Sequence, residues 1–193
     1  MIIKYKYIEH ERTEDAPFVG ALIVAPSCRL KCKNCFNRDL KKLEDRKQTA
    51  EQIIDEVRGN PFNQGIILAG LEWSESPKEL IELVKVASES GLQIMIYTGL
   101  EIREFHERIG RACADKVGFK MFNLPQFLKE NDKEVYSYIG ASVLDYYIPS
   151  DYYIKAGKYD ESKKVDDRIH FGVHLATSNQ NIYLIKKVGE NEA

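Results

Sequence analysis

Three of the four cysteines, Cys28, Cys32 and Cys35, lie within eight residues of one another in a Cys-x3-Cys-x2-Cys pattern. Thiolates are soft ligands that suit iron–sulfur clusters and zinc. Disulfides are rare in a reducing compartment, and one bond among three neighbouring cysteines would leave a thiol over. A shared metal centre is therefore the better explanation of the pattern.

A four-iron cluster usually takes four cysteines, so with three of them one iron would stay open to a substrate or cofactor. The alternative is a zinc site closed by the three cysteines and either Cys113 or a histidine, although zinc ligands usually come as two separated pairs. Cys113 follows Ile109 by four residues on the apolar stripe of a predicted helix, which favours a place in the core. His170 and His174 are predicted to share one face of a strand without a third ligand, which favours a structural role.

The rest of the chain alternates between buried strands and amphipathic helices. Continuous apolar runs predict strands at 18–25, 65–69 and 92–97, a fourth is predicted at 116–122, and an alternating segment at 169–176 and a short run at 182–185 predict two more. Capping-box spacing predicts helix starts at Thr49 with Gln52 and at Ser76 with Glu79, and a third helix includes Cys113. Residues 124–167 give no clear pattern.

This order of elements predicts a single α/β domain over residues 1–193, with mainly parallel strands joined by right-handed crossovers. In such sheets the reactive site lies at the carboxyl ends of the strands. The loop 27–36, the segment 70–75 and the turn 98–99 each follow a predicted strand. We therefore expect these three segments to converge on one edge of the sheet.

The cysteine motif resembles that of radical S-adenosylmethionine enzymes, and it follows a first strand as theirs does. Residues 35–39, Cys-Phe-Asn-Arg-Asp, are similar to the segment after the cluster in the activating enzymes of glycyl radical proteins. Residues 69–73, Ala-Gly-Leu-Glu-Trp, are similar to the Gly-Gly-Glu-Pro segment of the superfamily, with leucine and tryptophan in place of the second glycine and the proline. Residues 97–99 and 178–180 resemble segments of the activating proteins of anaerobic ribonucleotide reductases.

This resemblance implies a partial (βα) barrel of the radical S-adenosylmethionine type, with a 4Fe-4S cluster held by the three cysteines. It implies reductive cleavage of S-adenosylmethionine to methionine and a 5'-deoxyadenosyl radical, which takes a hydrogen atom from a glycine of a partner anaerobic ribonucleotide reductase. A low-potential donor such as flavodoxin or ferredoxin would supply the electron. The residues that the resemblance assigns to S-adenosylmethionine are Asn37, Gly70, Leu71, Glu72 and Thr98.

Composition bears on the partners and the compartment. The formal net charge is −2, which gives no electrostatic attraction to nucleic acid or to an anionic membrane. The uncharged apolar run of residues 18–28 is shorter than the roughly 18 apolar residues of a transmembrane helix. The first fifteen residues interleave charged and apolar side chains and have no signal-peptide pattern. We expect a cytoplasmic protein that binds neither nucleic acid nor membrane.

Two other functions fit the cysteine pattern. One is a radical enzyme that acts on a small molecule or a peptide, which would turn over without a protein partner. The other is a non-catalytic iron–sulfur or zinc module that transfers electrons or stabilises a fold, which would bind no S-adenosylmethionine.

Overall fold

The computed structural model describes residues 1–113, 141 and 143–186. Its helices include α1 (Ala50–Arg58), α2 (Pro77–Glu89) and α3 (Ile102–Cys113), and residues 143–147 are helical as well. Its strands are β1 (Ile2–Tyr5), β2 (Ile8–Arg12), β3 (Gly20–Val24), β4 (Arg46–Thr49), β5 (Gly65–Ala69), β6 (Gln93–Thr98), β7 (Tyr152–Ala156), β8 (Ile169–His170), β9 (Val173–His174) and β10 (Asn181–Ile185). Within these residues no helix is long and apolar enough to cross a membrane.

A six-stranded sheet in the order β10-β7-β6-β5-β3-β2 organises the fold. Its four central strands, β7, β6, β5 and β3, are parallel, and the two edge strands pair antiparallel to them. The described residues therefore form a mixed α/β fold whose central strands are parallel, as the alternation of elements predicts. The closure of this sheet into a partial barrel stays a prediction.

The central strand β5 is buried along its whole length, as the continuous apolar run predicts. Ile66 and Leu68 pack with the buried faces of α1, α2 and α3, whereas Ile67 and Ala69 belong to a smaller cluster on the opposite face. The opposite face also carries the side chains of Leu22 and Tyr97, which are only partly buried. The sheet thus has a helix-covered face and a second face where a cavity can form.

Of the two predicted capping boxes at helix starts, one is present and the other is absent. At α1 the capping box is formed, because the Thr49 hydroxyl accepts from the Gln52 N–H at 3.3 Å and the Gln52 side chain accepts from the Thr49 N–H at 2.9 Å. At α2 the predicted capping box is wrong, since Ser76 makes no side-chain cap bond. Its N–H closes the preceding 3-10 turn on Trp73 at 2.9 Å, and its backbone lies at ψ 61°, outside the extended conformation of a usual N-cap.

The predicted strand at 169–176 is also wrong, because the chain turns back on itself there. Phe171 and Gly172 have φ of 50° and 76°, and they connect β8 to β9 in a two-residue hairpin. Positive φ at both central residues is typical of a type I′ turn. His170 pairs with Val173 and His174 with Ile169, so the two histidines lie on opposite faces of the hairpin and not on one. The predicted strand at 116–122 lies outside the described residues.

Candidate metal centre and adjoining cavity

The cysteine loop leaves the carboxyl end of β3 in a tightly folded conformation. Lys31 and Asn34 have φ of 49° and 53°, a region that residues other than glycine adopt at a cost of about 1 to 3 kcal/mol. The Arg38 N–H donates to the Cys35 carbonyl at 3.3 Å and begins the turn that leads away from the cysteines. As a result Cys28, Cys32 and Cys35 line one cavity of about 360 Å³ together with Lys31, Lys33, Arg38 and Lys41.

The thiols of this loop are partly buried. Burial is the main cause that raises the pKa of Cys28 and Cys32. The rise is opposed at Cys28 mainly by a backbone hydrogen bond from Leu30 and at Cys32 mainly by the positive charge of Lys158. A protein thiol must lose its proton when it binds a metal, and the positive charge of the metal then stabilises the thiolate. Basic side chains on the same cavity wall also favour the excess negative charge of several thiolates around one metal centre.

The turn after β5 depends on Gly70, whose φ is +84°. The Leu71 N–H donates to the Ala69 carbonyl at 3.1 Å and closes the turn. A Cβ at Gly70 would come within 2.8 Å of a methyl carbon of Val24, which is fully buried on the neighbouring strand. Both the backbone conformation and the close approach of β3 therefore favour glycine at this position.

Glu72 joins the segments that follow β3, β5 and β6. Its carboxylate accepts hydrogen bonds from the Thr98 hydroxyl at 3.0 Å, the Gly99 N–H at 2.8 Å and the Ser74 N–H at 3.1 Å. Its own N–H donates to the Ser27 carbonyl at 2.9 Å. Because Glu72 is only 1% exposed, these bonds are shielded from water and fix the relative positions of the three segments. The predicted convergence of these segments is confirmed.

A second cavity, of about 510 Å³, lies beside the cysteine loop at this edge of the sheet. That volume is within the range of small-molecule and cofactor sites, roughly 300 to 1,000 Å³. The residues that the resemblance assigns to the cluster or to S-adenosylmethionine all line it: Cys28, Cys32, Cys35, Asn37, Gly70, Leu71, Glu72 and Thr98. Residues that are far apart in the chain thus share one cavity.

The sequence model of one protein family, described as a 4Fe-4S single cluster domain, matches residues 19–139, which is more than half of the chain. The chain belongs to this single-cluster 4Fe-4S family. Among curated proteins no significant match is found. The expected 4Fe-4S cluster is confirmed at the level of the family, and the three partly buried thiols on one cavity wall fit such a group.

The closed zinc site of the alternative interpretation would need a fourth ligand beside the three cysteines, either Cys113 or a histidine. Cys113 is 5% exposed in the helix-side core, as its apolar stripe predicts, and it lines neither cavity. His174 lines the larger cavity, whereas His170 does not.

We expect Cys113→Ala to keep the cluster of this 4Fe-4S protein. The substitution removes a core sulfur on α3 that lines neither cavity, so the iron and sulfide bound per chain should equal those of the wild type. The measurement is iron and acid-labile sulfide in anaerobically purified protein. Loss of iron from a variant with unchanged circular dichroism would contradict the core assignment.

Sequence reasoning missed a cavity residue on β7, the strand that lies within the unassigned residues 124–167. Lys155 lines the larger cavity with its Nζ 4.6 Å from the ring centroid of Tyr97, and it donates to the His174 carbonyl at 3.3 Å. Burial lowers the pKa of Lys155 to about 8. Tyr152, Ile154 and Ala156 are buried and recur with a period of two. This alternation in the sequence could have predicted the strand.

The segment 178–180 packs against the loop that follows β7. Asn179 Nδ2 donates to the Lys158 carbonyl at 2.8 Å, and Gln180 Nε2 donates to the Gly157 carbonyl at 3.3 Å. Gln180 lines the larger cavity, so this segment too reaches the site edge. The loop after β7 in turn contacts the cysteine loop, because the rings of Tyr159 and Phe36 pack edge to face with their centroids 5.7 Å apart.

We expect Glu72→Ala to destabilise the protein strongly, because it leaves the Thr98 hydroxyl and the Ser74 and Gly99 N–H groups without their acceptor. Unsatisfied buried donors cost about 1 to 3 kcal/mol each, so a loss of about 3 kcal/mol is expected. That loss corresponds to a fall in the thermal midpoint of roughly 6 to 12 °C for a chain of this size. Anaerobic thermal unfolding measures it.

The matched comparison is Thr98→Ser, which keeps the hydroxyl that donates to Glu72 and accepts from the Leu100 N–H, and which should lower the midpoint by only about 2 to 4 °C through the loss of one buried methyl group. Equal midpoints for the two variants would show that Glu72 does not join the segments as the geometry indicates.

Proposed function

We propose that this 4Fe-4S protein is a radical S-adenosylmethionine enzyme that activates an anaerobic ribonucleotide reductase. The observation that carries the proposal is the single cavity lined by Cys28, Cys32 and Cys35 and by the turns after β5 and β6. A redox cluster beside a cavity large enough for a cofactor is what a reaction centre needs, whereas an electron carrier needs only the cluster.

In this proposal Cys28, Cys32 and Cys35 would hold the cluster beside the larger cavity. The turn at Gly70 and Leu71 supplies backbone carbonyls of the kind that bind an ammonium group, and it depends on the left-handed conformation of Gly70. Glu72 acts as a positioning residue, because its carboxylate oxygens already accept bonds from the protein. When bound, the cluster and S-adenosylmethionine supply the one-electron reductive cleavage, and the chain contributes binding, orientation and exclusion of water.

The proposed substrate is a glycine in the partner reductase, in line with the resemblance of residues 35–39, 97–99 and 178–180. Members of each segment line the larger cavity, including Asn37, Thr98 and Gln180. Phe36 lines the same cavity with 73% of its surface exposed, so an apolar side chain is available at the rim for contact with a partner. A glycine loop that enters there would cover the site and exclude water.

The test mixes the reduced protein, S-adenosylmethionine and the anaerobic reductase of the same organism without oxygen. Electron paramagnetic resonance should show the doublet of a glycyl radical on the reductase, with methionine formed in step. The Cys32→Ser variant is the control and should give neither product. Consumption of a small metabolite or a peptide without a reductase radical would reject the activase and favour a radical enzyme of another substrate class.

A second candidate, the non-catalytic iron–sulfur module, is favoured by the description of the matched family, which names a cluster and no reaction. Equilibrium binding of S-adenosylmethionine to the cluster-loaded protein separates the two. A module that only transfers electrons should not bind it, whereas the proposed enzyme should bind it with a change in the spectrum of the cluster.

A further inference from the structure

The cysteine loop is strongly basic, whereas the chain as a whole has a small negative net charge. Residues 28–42 carry six basic side chains and one acidic side chain, a net charge of +5 in a chain whose overall net charge is −2. We call the six basic residues the basic loop face: Arg29, Lys31, Lys33, Arg38, Lys41 and Lys42. All six are exposed. Positive charge is therefore concentrated around the three thiols.

Most of this charge has no internal partner. Lys42 pairs with Asp39 at 2.6 Å, and Arg29 lies 3.9 Å from Glu75. The four basic residues that line the smaller cavity with the cysteines have no ion pair among the described residues. Clustered like charges repel each other, and a partner of opposite charge relieves this repulsion.

The three cysteines lie between the basic loop face and the larger cavity. Of the described residues, only Cys28, Cys32 and Cys35 line both the smaller cavity and the larger one. Four of the six basic residues lie on the wall of the smaller cavity, whereas the turns after β5 and β6 lie on the wall of the larger one. A protein bound at the basic loop face would therefore approach the metal centre without occupying the larger cavity.

We propose that the basic loop face docks an acidic electron-donor protein that carries a reduced flavin or an iron–sulfur centre. The proposal rests on the proposed function in one respect, that the three cysteines hold the redox cluster. In the step itself the donor loses one electron and the cluster gains one, and no bond forms or breaks and no proton moves. Subtracting the +5 of residues 28–42 from the total of −2 leaves the rest of the chain with a net charge of −7. This negative charge disfavours a nucleic acid as the occupant.

The test compares two double variants of the cluster-loaded protein. Lys33→Glu with Arg38→Glu reverses two charges of the basic loop face. Lys4→Glu with Lys47→Glu makes the same change of charge at exposed, paired positions of β1 and β4, which line neither cavity. Each protein is reduced by a purified acidic flavodoxin and, separately, by photoreduced 5-deazariboflavin. The binding constant for labelled flavodoxin is measured by fluorescence anisotropy at low and high salt.

For the variant with Lys33→Glu and Arg38→Glu, we expect the rate of cluster reduction by flavodoxin, divided by the rate of cluster reduction by deazaflavin, to fall about tenfold at low salt. The affinity for flavodoxin should fall by a similar factor. Both differences should disappear near 1 M salt, where the screening length is about 3 Å. The second variant should match the wild type. Equal ratios and affinities for all three proteins, or equal losses for both variants, would overturn the proposal. Absence of iron from the wild type would reject the cluster ligands instead, and iron content is measured first for that reason.

Discussion

Replacing any one of Cys28, Cys32 and Cys35 with serine is expected to remove the 4Fe-4S cluster and, with it, the proposed reductive cleavage of S-adenosylmethionine. A serine oxygen is a hard ligand that replaces a soft thiolate poorly, and no other cysteine lines the cavity to take its place. Iron should fall from about four atoms per chain towards zero. Methionine formation should fall by more than about 100-fold, because loss of a hydrogen-bond partner of a metal ligand alone costs 10- to 100-fold.

The measurements are iron and sulfide content, the visible absorbance of the cluster and methionine release under anaerobic reduction. Cys113→Ala is the matched control, since it changes a thiol that lies in the core and should leave all three values unchanged. Stoichiometric zinc without iron in the wild type would contradict the cluster ligands proposed here. Full iron content in one serine variant would show that the residue at that position is not a ligand.

Three of the four central strands, β3, β5 and β6, and the helices were predictable because burial leaves a strong pattern in the sequence. β3 and β5 are continuous apolar runs, and each helix presents an apolar stripe to the same side of the sheet. The strands that were missed lie at edges or are partly exposed. β2 and β4 consist mostly of polar and charged residues, which is typical of edge strands that must resist further pairing, and such residues give no apolar signal.

The hairpin of β8 and β9 shows why an alternating pattern can mislead. Its apolar and polar residues alternate through the turn, so periodicity alone continues the strand across it. The Phe171-Gly172 pair was the missing signal, since glycine next to a residue with positive φ is common in two-residue hairpins. Similarly, the capping-box spacing at Ser76 could not reveal that the preceding 3-10 turn uses the Ser76 N–H.

For the site, the sequence was sufficient to bring the three strand-end segments together but not to assign their contacts. Parallel pairing aligns Val24 with Ala69 and Thr98 with Ala156, so the loops that follow these strands meet at one edge. The role of Glu72 could not be predicted this way, because it depends on donors 26 and 27 residues away along the chain. Lys155 was missed because the strand that carries it was missed.

Gly70→Val is expected to weaken S-adenosylmethionine binding by at least about tenfold while the cluster is retained. Valine at a φ of +84° is strained by about 1 to 3 kcal/mol or more, since its branched side chain disfavours the left-handed region. Its Cβ would also lie 2.8 Å from Val24, whose short and fully buried side chain has little room to move. The turn should shift to relieve both, and Gly70 and Leu71 would then leave their positions on the wall of the larger cavity. Equilibrium titration of the cluster-loaded protein measures the affinity.

Gly91→Val is the matched control, because Gly91 has a similar φ of +74° but nothing within 4 Å of an added Cβ. Gly91 follows α2 at its carboxyl end and lines neither cavity, so this variant should lose stability through the backbone strain alone. Its affinity for S-adenosylmethionine should stay at the wild-type value. If both variants bind equally well, the turn at Gly70 is not part of the cofactor site and the ammonium group is held elsewhere. If both lose affinity to the same extent, the loss reflects general destabilisation, and the close approach of β3 to Gly70 has no specific role in binding.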